Sequence, residues 1–115
     1  MKPAAQSNWH TIMDARNREL HRAIAEKMRQ NPTLVLRVQK TLERWLRAVN
    51  ESERGYDALL EWKRRLEEQP LDQVLEFISS GDEEACRLRQ SSPFVGLLSD
   101  QERMAIFSKY EVLRG

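Results

Sequence analysis

Apolar residues recur every three or four positions along most of this chain, the spacing that predicts amphipathic helices. The first such segment covers about residues 11–29, and its apolar seam is Met13, Leu20, Ile24 and Met28. Asn31 and Pro32 then predict a break and a new start, because Asn caps helices well and Pro suits the first helical turn. The stretch before the first seam, residues 1–10, is polar and is expected to be flexible.

The cleanest amphipathic pattern covers about residues 32–49, which are predicted to form the second helix. Its predicted buried seam is Leu34, Val38, Leu42, Trp45 and Val49. A basic stripe lies about 160° around the helix from that seam, taking 3.6 residues per turn. The stripe is Arg37, Lys40, Arg44 and Arg47, and it is expected to be exposed.

The second half of the chain predicts shorter helices, at about 51–69, 71–79, 82–90 and 100–113. Asp82 and Ser99 are expected to cap two of them, with Ser99 and Glu102 forming a reciprocal capping box. The apolar run 93–98 contains Pro and Gly, and we expect it to be an ordered loop on the core.

Within these later helices, the third is expected to bury one face and to carry Trp62 at the edge of that face. The residues of that face are Tyr56, Leu59, Leu60 and Leu66. The last helix is expected to bury Met104, Ile106 or Phe107, Tyr110 and Leu113.

The fold class expected from these elements is all-α: a single domain over residues 1–115, built as an irregular bundle of five or six helices. No segment alternates with a period of two for long enough to predict a strand. The one cysteine, Cys86, excludes an internal disulfide. No apolar run approaches the roughly 20 residues that span a membrane, and the start resembles no signal peptide. We therefore expect a cytoplasmic protein without a membrane contact.

Charge divides the chain into two halves. Residues 1–50 carry ten Lys and Arg against four acids, a net charge of +6, whereas residues 51–115 carry nine against fourteen, a net charge of −5. The basic half holds two stripes that are candidates for contacting phosphates of a nucleic acid. They are Arg18, Arg22 and Arg29 on the first helix, and Arg37, Lys40, Arg44 and Arg47 on the second. The simpler interpretation, which we favour, is that both stripes are solvated helix faces.

No constellation in the sequence predicts catalysis, a cofactor or a metal site. His10 and His21 lie eleven residues apart, about 16 Å along one helix, which is too far to share a metal ion. Cys86, Ser91 and Ser92 would act as nucleophiles only beside a base, and no pattern indicates one. We therefore predict no catalytic, cofactor-binding or metal-binding residues, and a protein that is not an enzyme.

Three apolar residues are candidate anchors for a partner protein, because exposed aromatic side chains are enriched in binding hot spots. Trp62 lies at the edge of its predicted helix, and Phe94 and Val95 lie in the apolar run. Packing on the protein's own core is the alternative for all three.

Four segments carry a resemblance to a known group of proteins: LHRAIAEKM at 20–28, NPTLV at 31–35, ERW at 43–45 and LRQSSPFVGLL at 88–98. They resemble short bacterial helical proteins of the sort found as the small partner in toxin–antitoxin-like gene pairs. The resemblance implies a protein that neutralises a partner or controls its own operon. The group has no defined activity, so the resemblance assigns no functional residues.

The functional hypothesis from the sequence is a non-enzymatic, antitoxin-like bacterial protein that binds and neutralises a protein partner, such as a toxin. The alternative is a nucleic-acid-binding regulator that uses the basic half. Self-association into a homo-oligomer is a further option, because the acidic and basic halves are complementary in charge.

Overall fold

The computed structural model describes the backbone of residues 4–114 and the side chains of residues 10–111. Within that range the chain is all-α, as predicted, with six α-helices and no strand. The helices are α1 (Ala4–Gln30), α2 (Val35–Ala48), α3 (Tyr56–Glu68), α4 (Leu71–Ile78), α5 (Glu83–Leu88) and α6 (Asp100–Arg114). Three short 3-10 turns, Pro32–Leu34, Arg89–Ser91 and Val95–Leu97, join or extend them. None of the described helices is both long and apolar enough to cross a membrane.

The long helix α1 lies at the centre of the bundle, because both α4 and α6 pack along it. Its predicted seam is largely confirmed: Leu20, Ile24 and Met28 are buried, whereas Met13 is half-buried. The helix begins at Ala4, before the predicted start near Thr11. Residues 4–10 have no apolar periodicity, but Ala4 and Ala5 favour helix by intrinsic propensity, which a search for apolar spacing does not detect.

The second helix, α2, lies at the edge of the bundle and packs mainly against α3. Of its predicted seam, Val38 and Leu42 are buried. The predicted full burial of the other three residues is wrong, because one helical neighbour covers only part of the α2 surface. The half-buried seam residues are Leu34, Trp45 and Val49.

The third helix begins at Tyr56, five residues after the predicted start. Gly55 precedes it with φ of +90°, in the left-handed region that glycine adopts without strain. The chain before it is a turn, in which the Glu53 N–H donates to the Asn50 carbonyl at 2.9 Å. Local turn formation therefore competes with the helix over residues 50–55.

Capping was predicted correctly in the second half of the chain. The Asp82 carboxylate accepts a hydrogen bond from the Glu84 N–H at 3.1 Å at the start of α5. Ser99 and Glu102 form the capping box: the Ser99 N–H donates to Glu102 Oε1 at 2.7 Å, and the Glu102 N–H donates to Ser99 Oγ at 3.1 Å. These bonds satisfy N–H groups that a helix start leaves without partners.

The burial predicted for α6 is only partly correct. Ile106 is buried, and Phe107 and Tyr110 are half-buried. Met104 was predicted to be buried but is 59% exposed, because α6 lies on α1 with one narrow face. The predicted burial of Leu113 lies outside the described side chains.

Candidate functional site

The three predicted hydrophobic anchors do not form an exposed surface. Trp62 and Phe94 are both 0% exposed, and Val95 is half-buried against the core. The prediction that Trp62 and Phe94 anchor a partner is therefore wrong, since neither is exposed, whereas for the partly exposed Val95 it stays a prediction.

Trp62 is buried because α3 is covered on more than one side. Its indole Nε1–H donates to the Leu88 carbonyl at 3.0 Å, which satisfies its single polar group. Its ring contacts those of Phe77 and Phe94 edge to face, with centroids 5.9 and 5.2 Å away. The spacing of Leu59, Trp62 and Leu66 is that of a helical seam, so the buried face was detectable, but the sequence interpretation centred the face elsewhere.

One residue of the predicted basic stripe on α1, Arg18, is engaged inside the protein. The Nε–H of Arg18 donates to the Ser79 carbonyl at 2.9 Å, which ties α1 to the end of α4. Arg22 and Arg29 are exposed. The Arg18 guanidinium therefore serves a contact between helices, whereas the nucleic-acid role predicted for the stripe stays a prediction.

Two lysines near α1 have carboxylate partners on another helix. Lys27 pairs with Glu102 at 2.7 Å, and Lys109 pairs with Glu19. The hydrogen bond from Lys27 and those within the capping box lower the pKa of the Glu102 carboxyl to about 2. The bonds from Lys109 and Tyr110 likewise lower the pKa of the Glu19 carboxyl.

The basic stripe on α2 is exposed, as predicted, and behaves differently. Arg47 forms a loose pair with Glu43 at 3.7 Å on the same helix. Among the side chains of residues 10–111, no carboxylate lies within ion-pair distance of Arg37, Lys40 or Arg44. Three neighbouring positive charges are therefore presented to solvent without neutralisation.

These three cations border a groove of about 330 Å³ between α2 and the segment that follows α5. Thr41 lies between them on α2, and the opposite wall is Pro93, Gly96 and Leu97. A long hydrogen bond crosses the groove: the Arg37 guanidinium donates to the Gly96 carbonyl at 3.5 Å. A Cβ atom added at Gly96 would meet nothing within 4 Å, so the groove is open at that point. The lining contains no acidic residue, which favours an anionic occupant.

An exposed leucine lies beside the same stripe. Leu36 is 58% exposed and lies one turn before Lys40 on α2. A large apolar side chain beside cations without carboxylate partners is a combination found in surfaces that bind another protein.

The structure also brings together a histidine and a serine that the sequence analysis did not connect. Ser92 Oγ lies 2.7 Å from His21 Nε2, although the residues are 71 positions apart. His21 Nδ1–H donates to the Asn17 carbonyl at 2.7 Å, which leaves Nε2 as the acceptor for the Ser92 hydroxyl. The Phe94 N–H in turn donates to Ser92 Oγ at 3.1 Å. No pattern in the sequence indicated this pair, because its two members lie far apart in the chain.

This His21–Ser92 pair is a core contact between α1 and the segment before α6. His21 is 0% exposed, and Ser92 is 8% exposed. Burial lowers the pKa of the His21 imidazole to about 4, so the ring is neutral at pH 7. A nucleophilic serine must reach its substrate, whereas here the hydroxyl bridges an imidazole and a backbone N–H inside the protein. These hydrogen bonds therefore hold the segment before α6 against α1.

The other potentially reactive side chains do not form a catalytic or metal-binding cluster among the described residues. Arg89 is buried, and its guanidinium donates to the carbonyls of Ile78 and Ser80 at 3.1 and 2.7 Å, which closes the end of α4. Cys86 is half-buried beside Arg89. Among the described residues, no three His, Cys, Asp or Glu side chains are grouped closely enough to hold a metal ion.

Comparison of the chain with known protein families, with curated proteins and with solved structures found no match.

Proposed function

We propose that this protein is a non-catalytic binding protein that holds an acidic protein partner against the outer face of α2. The observation that carries this proposal is the row of exposed, unpaired cations Arg37, Lys40 and Arg44. A carboxylate of a partner would supply the neutralisation that the chain itself does not provide, and would steer association through its field. The antitoxin-like mode indicated by the resemblance, in which the partner is neutralised by being bound, is retained as part of this proposal.

The surroundings of the cations support a protein partner. Leu36 adds exposed apolar area at the edge of the stripe, and apolar contact combined with charge is typical of protein interfaces. In this proposal the apolar anchor is Leu36 on α2, in place of the buried Trp62 and Phe94.

The test is coexpression with the product of the gene adjacent to this one. We expect that product to inhibit growth when it is expressed alone and to be harmless beside this chain. Exchange of Arg37, Lys40 and Arg44 to Glu should abolish the protection, because it reverses the charge of the interface. The matched control exchanges Arg22, Arg29 and Arg64, which are also exposed but lie on α1 and α3, and it should protect fully.

Titration of the purified pair checks the same contact directly. Because the charges are exposed, the affinity should fall as salt rises from about 0.05 to 0.5 M. A neighbouring product that is harmless alone, or that remains toxic beside this chain, would sink the antitoxin-like proposal. Protection that survives the α2 exchange would show that the partner binds elsewhere.

The second candidate function is nucleic-acid binding, and the spacing of the α2 cations at every third or fourth residue favours it. With three or four charges rather than both stripes engaged, the slope of log K against log salt on duplex DNA should be about −3 to −4. Gel-shift titration on a random duplex at low salt measures this. Absence of binding at micromolar protein would reject this candidate.

A further inference from the structure

A second concavity, of about 230 Å³, adjoins the basic groove on α2. Its walls are mainly apolar: Trp45 comes from α2, Val49 directly follows α2, and Leu59 comes from α3. Ser91, Arg54 and Gly55 complete the lining. The half-buried state of Trp45 follows from this opening, which leaves part of its ring without protein contacts.

Taken together as one groove along α2, the two concavities have chemically different ends. Arg44 lines the basic end and the next residue, Trp45, lines the apolar end. Residues 91–97 form the opposite wall of both. From Arg37 to Val49 the groove follows twelve residues of helix, about 18 Å at 1.5 Å per residue.

We propose that this groove binds a short extended segment of the partner, in which acidic residues are followed or preceded by one large apolar side chain. This inference rests on the proposed function and names the feature of the partner that is recognised. An extended chain covers about 3.3 Å per residue, so the groove accommodates about five or six residues. Carboxylates would meet Arg37, Lys40 and Arg44, and the apolar side chain would fill the space beside Trp45 and Val49.

The division of the groove favours a peptide over a nucleic acid. A nucleic-acid strand carries a phosphate on every nucleotide, so charge would continue along the whole groove. In the lining of the other end Arg54 is the one cation, and the apolar Val49 and Leu59 offer phosphates no hydrogen bond, whereas an aliphatic or aromatic side chain there leaves water for an apolar surface. Charge at one end and apolar walls at the other therefore match a segment whose own charge stops partway.

The probes are fluorescein-labelled hexapeptides titrated with the intact protein and followed by fluorescence anisotropy. The first has four acidic residues, then Gly and Phe, and a second has the reversed order, since the groove does not fix the chain direction. We expect one of the two to bind at micromolar concentration. Exchange of its Phe to Ser should weaken binding at least tenfold, and exchange of its acids to Gln should abolish it.

Two variants of the protein test the two ends of the groove separately. Gly96→Glu places a carboxylate in open space beside Arg37 and should compete with the acidic end of the peptide. Ser91→Leu should fill the apolar concavity and remove the advantage of Phe over Ser. The controls are Gln101→Glu and Ser108→Leu, the same kinds of exchange at exposed positions of α6, which should bind as the unchanged protein does. Thermal melting confirms that each variant is folded.

Several results would overturn the inference. They are no binding of either peptide, equal binding of the Phe and Ser forms, or a twelve-base-pair DNA duplex that binds more tightly than the peptides and ignores Ser91→Leu. If protection from the neighbouring product depends on the α2 cations while both peptides fail, the inference is wrong and the proposed function stands. If the peptide binds as expected while the neighbouring product is harmless, the proposed antitoxin-like role is wrong and the groove specificity stands.

Discussion

The basic stripes of α1 and α2 are alike in sequence and unlike in the folded protein. On α1, Arg18 bonds to Ser79, and nearby Lys27 pairs with Glu102 and donates to the Leu97 carbonyl at 2.9 Å. On α2, Lys40 and Arg44 have no carboxylate partner among residues 10–111. Of the α1 stripe, Arg18 therefore serves a structural contact, whereas Arg22 and Arg29 are exposed as the α2 cations are.

The difference comes from how many neighbours each helix has. α1 is packed by α4 on one side and α6 on another, so even its polar flanks meet other elements. α2 packs mainly on α3, and Leu36, Lys40 and Arg44 on its outer face are exposed. A charged stripe thus indicates an interaction surface only when the helix that carries it lies at the edge of the bundle.

The largest expected effect is on core packing. Ile24→Ala in α1 should lower the free energy of unfolding by about 2–5 kcal/mol, because it removes a fully buried side chain and leaves a cavity. Leu36→Ala on the outer face of α2 should change it by less than about 0.5 kcal/mol. Urea denaturation at pH 7 measures both values. Equal losses would mean that the α2 face is packed, and the comparison between the helices would collapse.

The next effect is the pH dependence that α1 gains from His21. Its imidazole has a pKa of about 4 when folded, against the ordinary value of 6.5. The unfolded chain therefore binds more protons between these values, so stability is full above pH 6.5 and falls as the pH falls towards 4. We expect a loss of about 2 kcal/mol between pH 7 and pH 5, measured by urea denaturation at each pH.

His21→Gln is the control for this pH effect, because it leaves the exposed His10 in place. The variant should be less stable at pH 7 and nearly flat between pH 5 and pH 7. The interval ends at pH 5 because the lowered pKa values of Glu19 and Glu102 add their own loss of stability only below about pH 4.5. An unchanged pH dependence in the variant would contradict the assignment to His21.

The sequence predicted local features well and pairings between distant elements poorly. The capping box at Ser99, the cap at Asp82 and the exposed α2 stripe each depend on residues within a few positions, so spacing alone identifies them. The contact of Ser92 with His21 joins positions 71 apart, and no local pattern encodes it. For Trp62 the helical spacing indicated the buried face, but its neighbours Phe94 and the Leu88 carbonyl come from another part of the chain and could not be predicted.

One side of the candidate site could be predicted from the sequence and the other could not. Arg37, Lys40 and Arg44 were predicted from helical spacing. Leu36 was also detectable, since it lies on the side of the helix opposite the apolar seam. The far wall of the groove, at Ser91 and Gly96, depends on how segment 91–97 folds back onto α2, which helical periodicity does not determine.

A smaller effect is expected from the contact that removes Arg18 from the free stripe. Arg18→Gln should lower the free energy of unfolding by about 1–2 kcal/mol, because a part-buried charged hydrogen bond to the Ser79 carbonyl is lost. Arg22→Gln, one turn further along α1 and exposed, should change it by less than about 0.5 kcal/mol. Thermal or urea unfolding at pH 7 compares the pair. A harmless Arg18→Gln would return Arg18 to the free basic surface.

The smallest expected effect has the opposite sign and is specific to α2. Arg37 and Lys40 are three residues apart and Lys40 and Arg44 four, so like charges repel along one helix face at about 0.2–0.5 kcal/mol per pair. Neutralising all three to Gln should therefore raise the free energy of unfolding slightly, by up to about 1 kcal/mol at low salt, and the gain should vanish in high salt. Arg47→Gln is the control, since its partner Glu43 makes its charge favourable or neutral. A stripe that lowers stability and yet faces an open groove is what a binding surface would show, because functional sites often reduce the stability of the fold that carries them. A clear loss of stability in the triple variant would instead show that these cations support the fold.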